Sequence, residues 1–301
     1  MIKTLRALWA AGLIMAASAV TAADCTRPSI GLALGSGGAG GLAHIAMLKV
    51  FEDLELRPDG IAGTSIGAII GTLHAAGLKA EEIQTLFREF GGSALDPLSG
   101  LAGDDAPPGW SDLLMFDLEN GGFVDAGRFL DFIAESFDAR DFGELEIPLQ
   151  IVATDYWSGE SHVFREGDLL TAVKASMAVP GLFAPVRLDD KLLIDGGTSN
   201  PLPVDLLGDF DVVVAIDVTG VRKQSGDDAP AITELLFKTF DIMQQSIIRS
   251  KTNANAPDIY IKPELAGVRL LHFDRVDEIV RGVEDDAATL RDRLEALTAC
   301  R

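Results

Sequence analysis

The chain has 301 residues, of which 48% are hydrophobic and 24% charged, so it can bury a sizeable core and is not a disordered chain. Its 46 acidic residues outnumber 25 Lys and Arg residues, which gives a net charge of −21. A surface this acidic repels phosphate groups, which argues against nucleic acid as a partner and requires any membrane contact to use an apolar patch.

Residues 1–22 have the pattern of an export signal. Two basic residues precede an apolar run, which ends in the small-residue sequence VTA. The apolar run is short for a membrane span, so a cleaved signal peptide is the favoured interpretation. This predicts a periplasmic or secreted protein whose mature part, residues 23–301, is a single domain. Cys25 and Cys300 lie at the ends of that part and could form a disulfide in an oxidising compartment.

Short apolar runs and amphipathic stretches alternate along the mature chain, as in a mostly parallel sheet covered by helices on both faces. The apolar runs predict strands at 29–34, 60–62, 149–155, 191–195, 211–218 and 258–261. The helical patterns lie at 41–54, from Ser65 onward, at 81–90 and at 232–250. Residues 91–124 combine Gly, Pro and Asp with large apolar side chains, which suits either a substrate-access loop or a surface insertion.

A Gly-x-Ser-x-Gly motif places Ser65 between Gly63 and Gly67, after a predicted strand and before a predicted helix. Glycines on both sides leave room for the tight turn that exposes a nucleophilic hydroxyl. The positive end of the helix dipole would also favour developing negative charge. A serine that only caps the helix is the alternative interpretation, because serine is a common N-cap residue.

The glycine loop 35–41, GSGGAGG, likewise follows a strand and precedes a helix. It fits the spacing of a dinucleotide-binding loop, but its backbone N–H groups could equally form an oxyanion hole. An acyl-transfer site needs a nucleophile on the following strand, and Ser65 is in that place. The oxyanion hole is therefore the preferred interpretation.

The proton acceptor for such a serine is not evident among the four histidines. His44 and His74 lie in predicted helices among apolar residues, and His162 and His272 have no catalytic context. Asp195 ends an apolar strand and precedes two glycines, where a carboxylate could meet a neighbouring loop, although Asp-Gly is also a common turn. Asp155 ends another strand and is the rival carboxylate. We interpret Asp155 as a structural hydrogen-bonding residue.

Together these segments resemble the patatin-like phospholipases, particularly their bacterial branch. The resemblance rests on GLALGSGGAGGLAHIAMLKVFED, IAGTSIGAIIGTLHAAG, IVATDYWSGESHVFREGDLLTAVKASMAVPGLFAPV and LLIDGGTSNPLPVD, and it extends over nearly the whole mature chain. It implies a three-layer α/β/α fold and a serine–aspartate dyad that works without histidine. By the same resemblance Ser65 matches the nucleophile, Asp195 the proton acceptor, and Gly37 and Gly38 the oxyanion-hole glycines.

One position departs from the family pattern. The family usually has a basic residue, most often Arg, just before the last glycine of the loop, where this chain has Gly40. Such an arginine would stabilise the loop or meet a substrate phosphate. The departure bears on phospholipid preference and not on ester hydrolysis.

The sequence therefore predicts an exported hydrolase of lipid esters, of the phospholipase A or lysophospholipase type, that forms an acyl-enzyme. A general carboxylesterase and a non-catalytic lipid-binding protein are the alternatives. The mechanism calls for no metal and no cofactor, and the expected partners are a lipid or ester substrate and, transiently, a membrane surface. No motif identifies an activating protein partner. A carboxylate base predicts an acid limb of kcat/KM well below neutrality.

Overall fold

A computed structural model gives the structure of the protein and describes residues 27–91, 126–220, 232–265, 267–268 and 272–298. The predicted signal peptide, both cysteines and residues 92–125, which include nearly all of the predicted access loop, lie outside these ranges. The expectations for those segments stay predictions.

Within the described residues, eight strands form one mixed sheet in the order β5-β6-β3-β2-β1-β7-β8, and β4 pairs with β3. The strands are β1 Ile30–Leu34, β2 Gly60–Thr64, β3 Leu149–Asp155, β4 Ser161–Phe164, β5 Val186–Leu188, β6 Lys191–Asp195, β7 Val212–Ile216 and β8 Ile259–Ile261. Strands β1, β2, β3, β7 and β8 run parallel. Strands β4 and β6 run antiparallel to β3, and β5 runs antiparallel to β6.

Helices connect the parallel strands, as the alternating sequence pattern predicts. They are α1 Ala43–Asp53, α2 Ile66–Ala75, α3 Ala80–Gly91, α4 Ala126–Ala134, α5 Leu169–Ser176, α6 Ile232–Ala254, α7 Val276–Gly282 and α8 Glu284–Thr298. The glycine-rich stretch Gly38–Leu42 forms a short 3-10 helix that leads into α1. In the part of the chain that the structure describes, no helix is long and apolar enough to cross a membrane.

The sheet has a hydrophobic core on each face, because side chains along a strand point alternately to opposite sides. From β1, Ile30 and Leu32 point into the larger core, which also buries residues of α1, α2 and α3. Ala33 points into the smaller core and meets Ile248 of α6. Burial of each large aliphatic side chain contributes about 1.5–3 kcal/mol. The expected three-layer α/β/α fold is confirmed, and the mostly parallel sheet carries its antiparallel strands beside β3.

Candidate active site

Ser65 lies at a strained turn between β2 and α2, with φ 56° and ψ −121°. A residue other than glycine rarely adopts a positive φ, and such strain is concentrated at functional sites. A Cβ atom added to Gly63 would lie 2.6 Å from the Gly67 carbonyl oxygen, and one added to Gly67 would lie 2.1 Å from the Leu34 carbonyl oxygen. Both glycines of the motif are thus needed because backbone segments pass too close for any side chain.

Two strands meet end to end beside β3, and this brings the candidate nucleophile and base together. Val152 of β3 pairs with Thr64 of β2, and Ala153 pairs with Asp195 of β6. Val152 and Ala153 each also pair with β4. A strand has only two edges, so β4 lies along one edge of β3, and β2 and β6 both lie along the other. Ser65 follows Thr64 directly. The carboxyl ends of β2 and β6 therefore face each other, with Ser65 and Asp195 at the junction.

This arrangement corrects the reasoning by which the sequence located Asp195. An acid at the end of a parallel strand would lie at the carboxyl edge of the sheet, but β6 is antiparallel and ends level with Ala153, inside the span of β3. The Asp195 backbone is held on both sides at this position. Its N–H donates to the Ala178 carbonyl oxygen at 2.9 Å, and its carbonyl oxygen accepts from the Thr154 hydroxyl at 2.9 Å.

The Asp195 carboxylate is buried, with 1% of the residue exposed. One carboxylate oxygen, Oδ1, accepts a hydrogen bond from the Gly197 N–H at 2.6 Å. The other, Oδ2, has no partner with hydrogen-bond geometry within the described residues, although the Ser65 side chain is near enough to affect it. Burial raises the pKa of Asp195 to about 6, although the Ser65 side chain and the Gly197 N–H both act to lower this pKa. The group is ionised at neutral pH and has one oxygen available for a proton.

The glycine loop passes beside this junction and is anchored through its backbone. The Gly35 N–H donates to the Ile216 carbonyl oxygen at 3.1 Å, and the Ser36 N–H donates to the Pro201 carbonyl oxygen at 2.9 Å. Among the described residues, the N–H groups of Gly37 and Gly38 donate to no other protein group. A Cβ atom on Gly37 would lie 2.5 Å from the Val218 carbonyl oxygen, so only glycine fits there. These two N–H groups remain available for an oxyanion.

His44 is a structural support of this loop. Its Nε2 lies 2.9 Å from the Gly35 carbonyl oxygen, which can only accept, so Nε2 carries the proton and donates. Complete burial lowers the pKa of His44 to about 4, with smaller raising effects from Gly35 and Asp217. The ring is neutral near neutral pH and holds the first residue of the loop in place.

The packing around Gly40 leaves little room for a side chain. A Cβ atom on Gly40 would lie 3.0 Å from Cδ1 of Leu265 and 3.1 Å from the Val218 carbonyl oxygen. The Leu265 side chain is buried, so even the first side-chain carbon at position 40 would require a small shift of its Cδ1. An arginine at position 40 could be accommodated only if Leu265 moved.

Ser65, Asp195, Gly37 and Gly38 line one cavity whose walls are mostly apolar. The apolar lining consists of Ile66, Ile69, Phe90, Phe129, Met177, Val179, Leu182, Phe183, Phe240 and Phe273. The polar lining adds Ser36, Asp241 and Gln244 to the four candidate residues. Gln244 Nε2, Asp195 Oδ1 and Ser36 Oγ all lie within 3.1 Å of the place that a Cβ atom on Gly197 would take, so these three groups are close together. Such a cavity suits a hydrocarbon chain attached to a polar reacting group.

All four histidines lie in the described residues, and none of them lines this cavity. The His74 ring contacts the Leu78 carbonyl oxygen, and the His162 ring contacts Lys191. Asp155 is also absent from the lining and accepts from the Trp157 N–H at 3.1 Å within a turn. These contacts agree with the structural roles expected for the histidines and Asp155. Nor does any cluster of His, Cys, Asp and Glu in the described parts of the chain suit a metal ion.

Three residues of the site were not singled out from the sequence. The Ser176 hydroxyl accepts the Ser65 N–H at 2.9 Å. The Ser36 hydroxyl is buried in the cavity lining without a hydrogen-bond partner among the described residues. Gln244 of α6 packs so closely on Gly197 that a Cβ atom there would lie 2.1 Å from its Nε2. No local motif marks Ser176 or Gln244, because their roles depend on contacts with distant parts of the chain.

The chain belongs to the patatin-like phospholipase family, because residues 32–207, more than half of its length, match the model of that family. An uncharacterised NTE family protein of Mycobacterium tuberculosis is 33% identical over 229 residues, which are 72% of this chain and 57% of that protein. Patatin-like phospholipase domain-containing protein 6 of Mus musculus is 32% identical over 200 residues, 64% of this chain and 14% of that protein. This chain thus spans little more than half of the first relative and a small part of the second.

The crystal structure of VipD from Legionella pneumophila has a similar fold. Its TM-score is 0.51 at 14% identity, and the superposition covers 88% of this chain and 67% of VipD. At this identity the likeness bears on the fold alone. The expectation of a patatin-like fold is confirmed by both the family match and this structure.

Proposed function

We propose that the protein hydrolyses acyl esters of lipids, with Ser65 as nucleophile and Asp195 as the group that accepts its proton. The observation that supports this most directly is that a strained serine and a buried, partly unpartnered carboxylate line the same mostly apolar cavity. Membership of the patatin-like phospholipase family supports the choice of lipid esters. The apolar cavity lining agrees with an acyl chain as the group that is bound.

The proposed reaction has two halves. Ser65 Oγ attacks the acyl carbonyl carbon while its proton passes to Asp195, and the carbonyl oxygen becomes an oxyanion that accepts from the Gly37 and Gly38 N–H groups. Collapse of this intermediate breaks the ester bond, and the leaving alcohol takes the proton from Asp195. Water then loses a proton to Asp195 and attacks the acyl-enzyme, and the fatty acid departs as Ser65 regains its proton.

The proposal extends to location and to partners. The N-terminal pattern supports export to the periplasm or beyond, with a lipid or ester as substrate and transient contact with a membrane surface. A general carboxylesterase differs by showing little preference for phospholipids. A non-catalytic lipid-binding protein differs by lacking a reactive serine.

Covalent labelling separates these functions. We expect a fluorophosphonate to react with the purified protein, and mass spectrometry of the digested adduct to place the label on the peptide that contains Ser65. Rates are then compared for phosphatidylcholine, lysophosphatidylcholine and a short soluble ester. A preference for the two phospholipids supports the proposed type, whereas a preference for the short ester supports the carboxylesterase. An unlabelled protein that still binds lipid contradicts the proposed chemistry.

A further inference from the structure

One side of helix α6 exposes large apolar side chains to solvent. Leu235, Leu236, Ile242 and Met243 are 49%, 64%, 56% and 54% exposed. Leu235 and Ile242 are seven residues apart, as are Leu236 and Met243, so all four lie on one side of the helix. We call this side, from Leu235 to Met243, the outer face of α6. Several large exposed apolar side chains on one side of a helix are a feature of interaction surfaces.

The opposite side of the same helix helps to form the candidate active site. Phe240, Asp241 and Gln244 line the cavity that holds Ser65 and Asp195. One helix therefore separates the cavity from the outer face. A partner bound to the outer face would lie a single helix diameter, about 10–12 Å, from the cavity lining.

The charge of this helix differs from that of the protein as a whole. The chain has 46 acidic residues, but α6 contains two, Glu234 and Asp241. From Leu235 to Ala254 Asp241 is the one acid, and it is buried on the cavity side. The other exposed positions on the outer side are Thr239, Ser246, Ser250, Asn253, Ala254 and the cationic Arg249. An apolar surface that lacks exposed acids suits an uncharged or zwitterionic lipid surface, where acidic groups would be repelled or desolvated.

We propose that the outer face of α6 docks on a lipid surface with zwitterionic headgroups and holds the cavity near its substrate. The choice of lipid as the partner rests on the proposed function. Because the net charge is −21, we expect the protein to bind anionic vesicles more weakly than zwitterionic vesicles. Added salt screens the repulsion and should reduce this difference in binding.

The test measures binding to phosphatidylcholine vesicles by sedimentation, in a Ser65→Ala background so that the vesicles stay intact. The double substitution Leu236→Gln with Met243→Gln is expected to lower the partition coefficient about tenfold or more, because two exposed apolar side chains can no longer enter the lipid. Thr239→Leu, at the centre of the outer face, should raise it about threefold or more. Thr85→Gln with Thr289→Gln, at exposed positions of α3 and α8, is the control for the added glutamines and should leave binding unchanged.

The same substitutions in the protein with Ser65 intact should leave kcat/KM for a soluble ester unchanged, because they lie outside the cavity lining. Wild-type-like vesicle binding by the double variant overturns the proposal, as does a wild-type protein that does not sediment with vesicles. If the double variant changes only the oligomeric state, the outer face joins two copies of the chain and the proposal is wrong. Vesicle binding without hydrolysis of any ester would refute the proposed function and leave the docking surface standing.

A second and independent observation concerns Ser176, the last residue of α5. Its hydroxyl accepts the Ser65 N–H at 2.9 Å and donates to the Val152 carbonyl oxygen at 2.6 Å. Two residues later, the Ala178 carbonyl oxygen accepts the Asp195 N–H at 2.9 Å. The segment from Ser176 to Ala178 thus binds the backbones of both members of the candidate pair.

The segment from Ser176 to Ala178 connects the ends of β2 and β6, which do not pair with each other among the described strands. Thr64 and Asp195 pair with neighbouring residues of β3, but no described ladder hydrogen bond joins the ends of the two strands to each other. Ser176 is completely buried and is not part of the cavity lining, so it can affect a substrate only through Ser65. We infer that Ser176 is a positioning residue that fixes Ser65 relative to Asp195.

Loss of this hydroxyl is expected to slow the chemistry more than it weakens substrate binding. Ser176→Ala should lower both kcat for a soluble ester and the rate of fluorophosphonate labelling by about tenfold to a hundredfold, with KM little changed, because small misplacements of a nucleophile are costly. Ser176→Thr and Ser176→Cys keep a hydrogen-bonding group and should restore activity in part. The control is Ile83→Val in α3, which also disturbs a fully buried residue but should keep kcat.

Each outcome bears on the inference. If Ser176→Ala keeps the wild-type kcat and labelling rate at temperatures where it is folded, Ser176 is not a positioning residue. A loss that follows only the unfolded fraction, as in Ile83→Val, also overturns the inference. If Ser176→Ala does not fold, the test uses the folded variants Ser176→Thr and Ser176→Cys. A normal labelling rate in these variants, combined with complete loss of hydrolysis, contradicts the positioning role of Ser176.

Discussion

Replacing Ser65 with alanine is expected to abolish ester hydrolysis and fluorophosphonate labelling while the protein stays folded. Removal of the nucleophile from a serine hydrolase lowers kcat by about 10⁶. The substitution removes one buried hydroxyl and leaves the backbone unchanged, so circular dichroism and the thermal midpoint should change little. A folded Ser65→Ala protein with most of its activity would show that another group is the nucleophile.

A second substitution at this position separates strain from chemistry. Ser65→Gly also removes the nucleophile, but glycine adopts the φ of 56° without the strain that serine bears there. We expect the glycine variant to be inactive and to unfold at a higher temperature than Ser65→Ala, by a free-energy difference on the order of 1 kcal/mol. An equal or lower midpoint would mean that this turn stores no strain.

Replacing Asp195 with asparagine should remove nearly all activity, because an amide cannot accept the serine proton. The matched controls are His74→Gln, His162→Gln and His272→Gln, whose rings lie outside the cavity lining and should each leave most of the activity. Active Asp195→Asn alongside an inactive but folded histidine variant would contradict the pair of Ser65 and Asp195.

A pH dependence of the proposed activity follows from the burial of Asp195. Burial raises its pKa to about 6, and only the ionised form can act as the base. Activity should therefore be present above about pH 6 and fall below it. The sequence predicted an acid limb of kcat/KM well below neutrality. With a pKa of about 6 for Asp195, the expected limb lies close to the usual histidine pKa of about 6.5. The limb alone cannot distinguish aspartate from histidine, so the substitutions must.

The same shift makes a prediction for stability. Because the folded-state pKa of Asp195 lies above the ordinary value of 3.8, the folded protein binds this proton more tightly than the unfolded chain. The free energy of unfolding therefore falls as pH rises from about 4 to about 6. Above about pH 6 the buried carboxylate of the wild-type protein is charged, which destabilises the fold. Asp195→Asn should be more stable than wild type at about pH 8, by up to about 3 kcal/mol, with the difference lost near pH 4. Urea unfolding at both pH values would test this, and an unstable variant at the higher pH would contradict it.

Periodicity and glycine placement predicted much of the fold. The runs at 149–155 and 191–195 are the observed β3 and β6, and the pattern at 81–90 lies within α3. The direction of β6 could not be predicted, because strand periodicity is the same in parallel and antiparallel pairs. The short strand β5 has three residues, too few for a periodic signal.

At the site, the sequence identified residues that are marked by adjacent residues in the chain. Ser65 has its flanking glycines and Asp195 its following glycines, and the structure places both in one cavity. Ser176 was missed because its role depends on two backbone groups, in Ser65 and Val152, that are remote in the chain. The raised pKa of Asp195 was also beyond the sequence, since it depends on how completely the surrounding chain excludes water.

The end-to-end meeting of β2 and β6 has a consequence for synthesis. Ser65 and its turn emerge from the ribosome long before β6, and a chain that stops short of β6 contains the proposed nucleophile without the proposed base. Domains fold as their sequences become available during translation. A growing chain should therefore be harmless to the lipids of the cell that makes it until Lys191–Asp195 has inserted beside β3. A chain truncated before Lys191 would therefore lack the proposed proton acceptor, and we expect it not to hydrolyse esters.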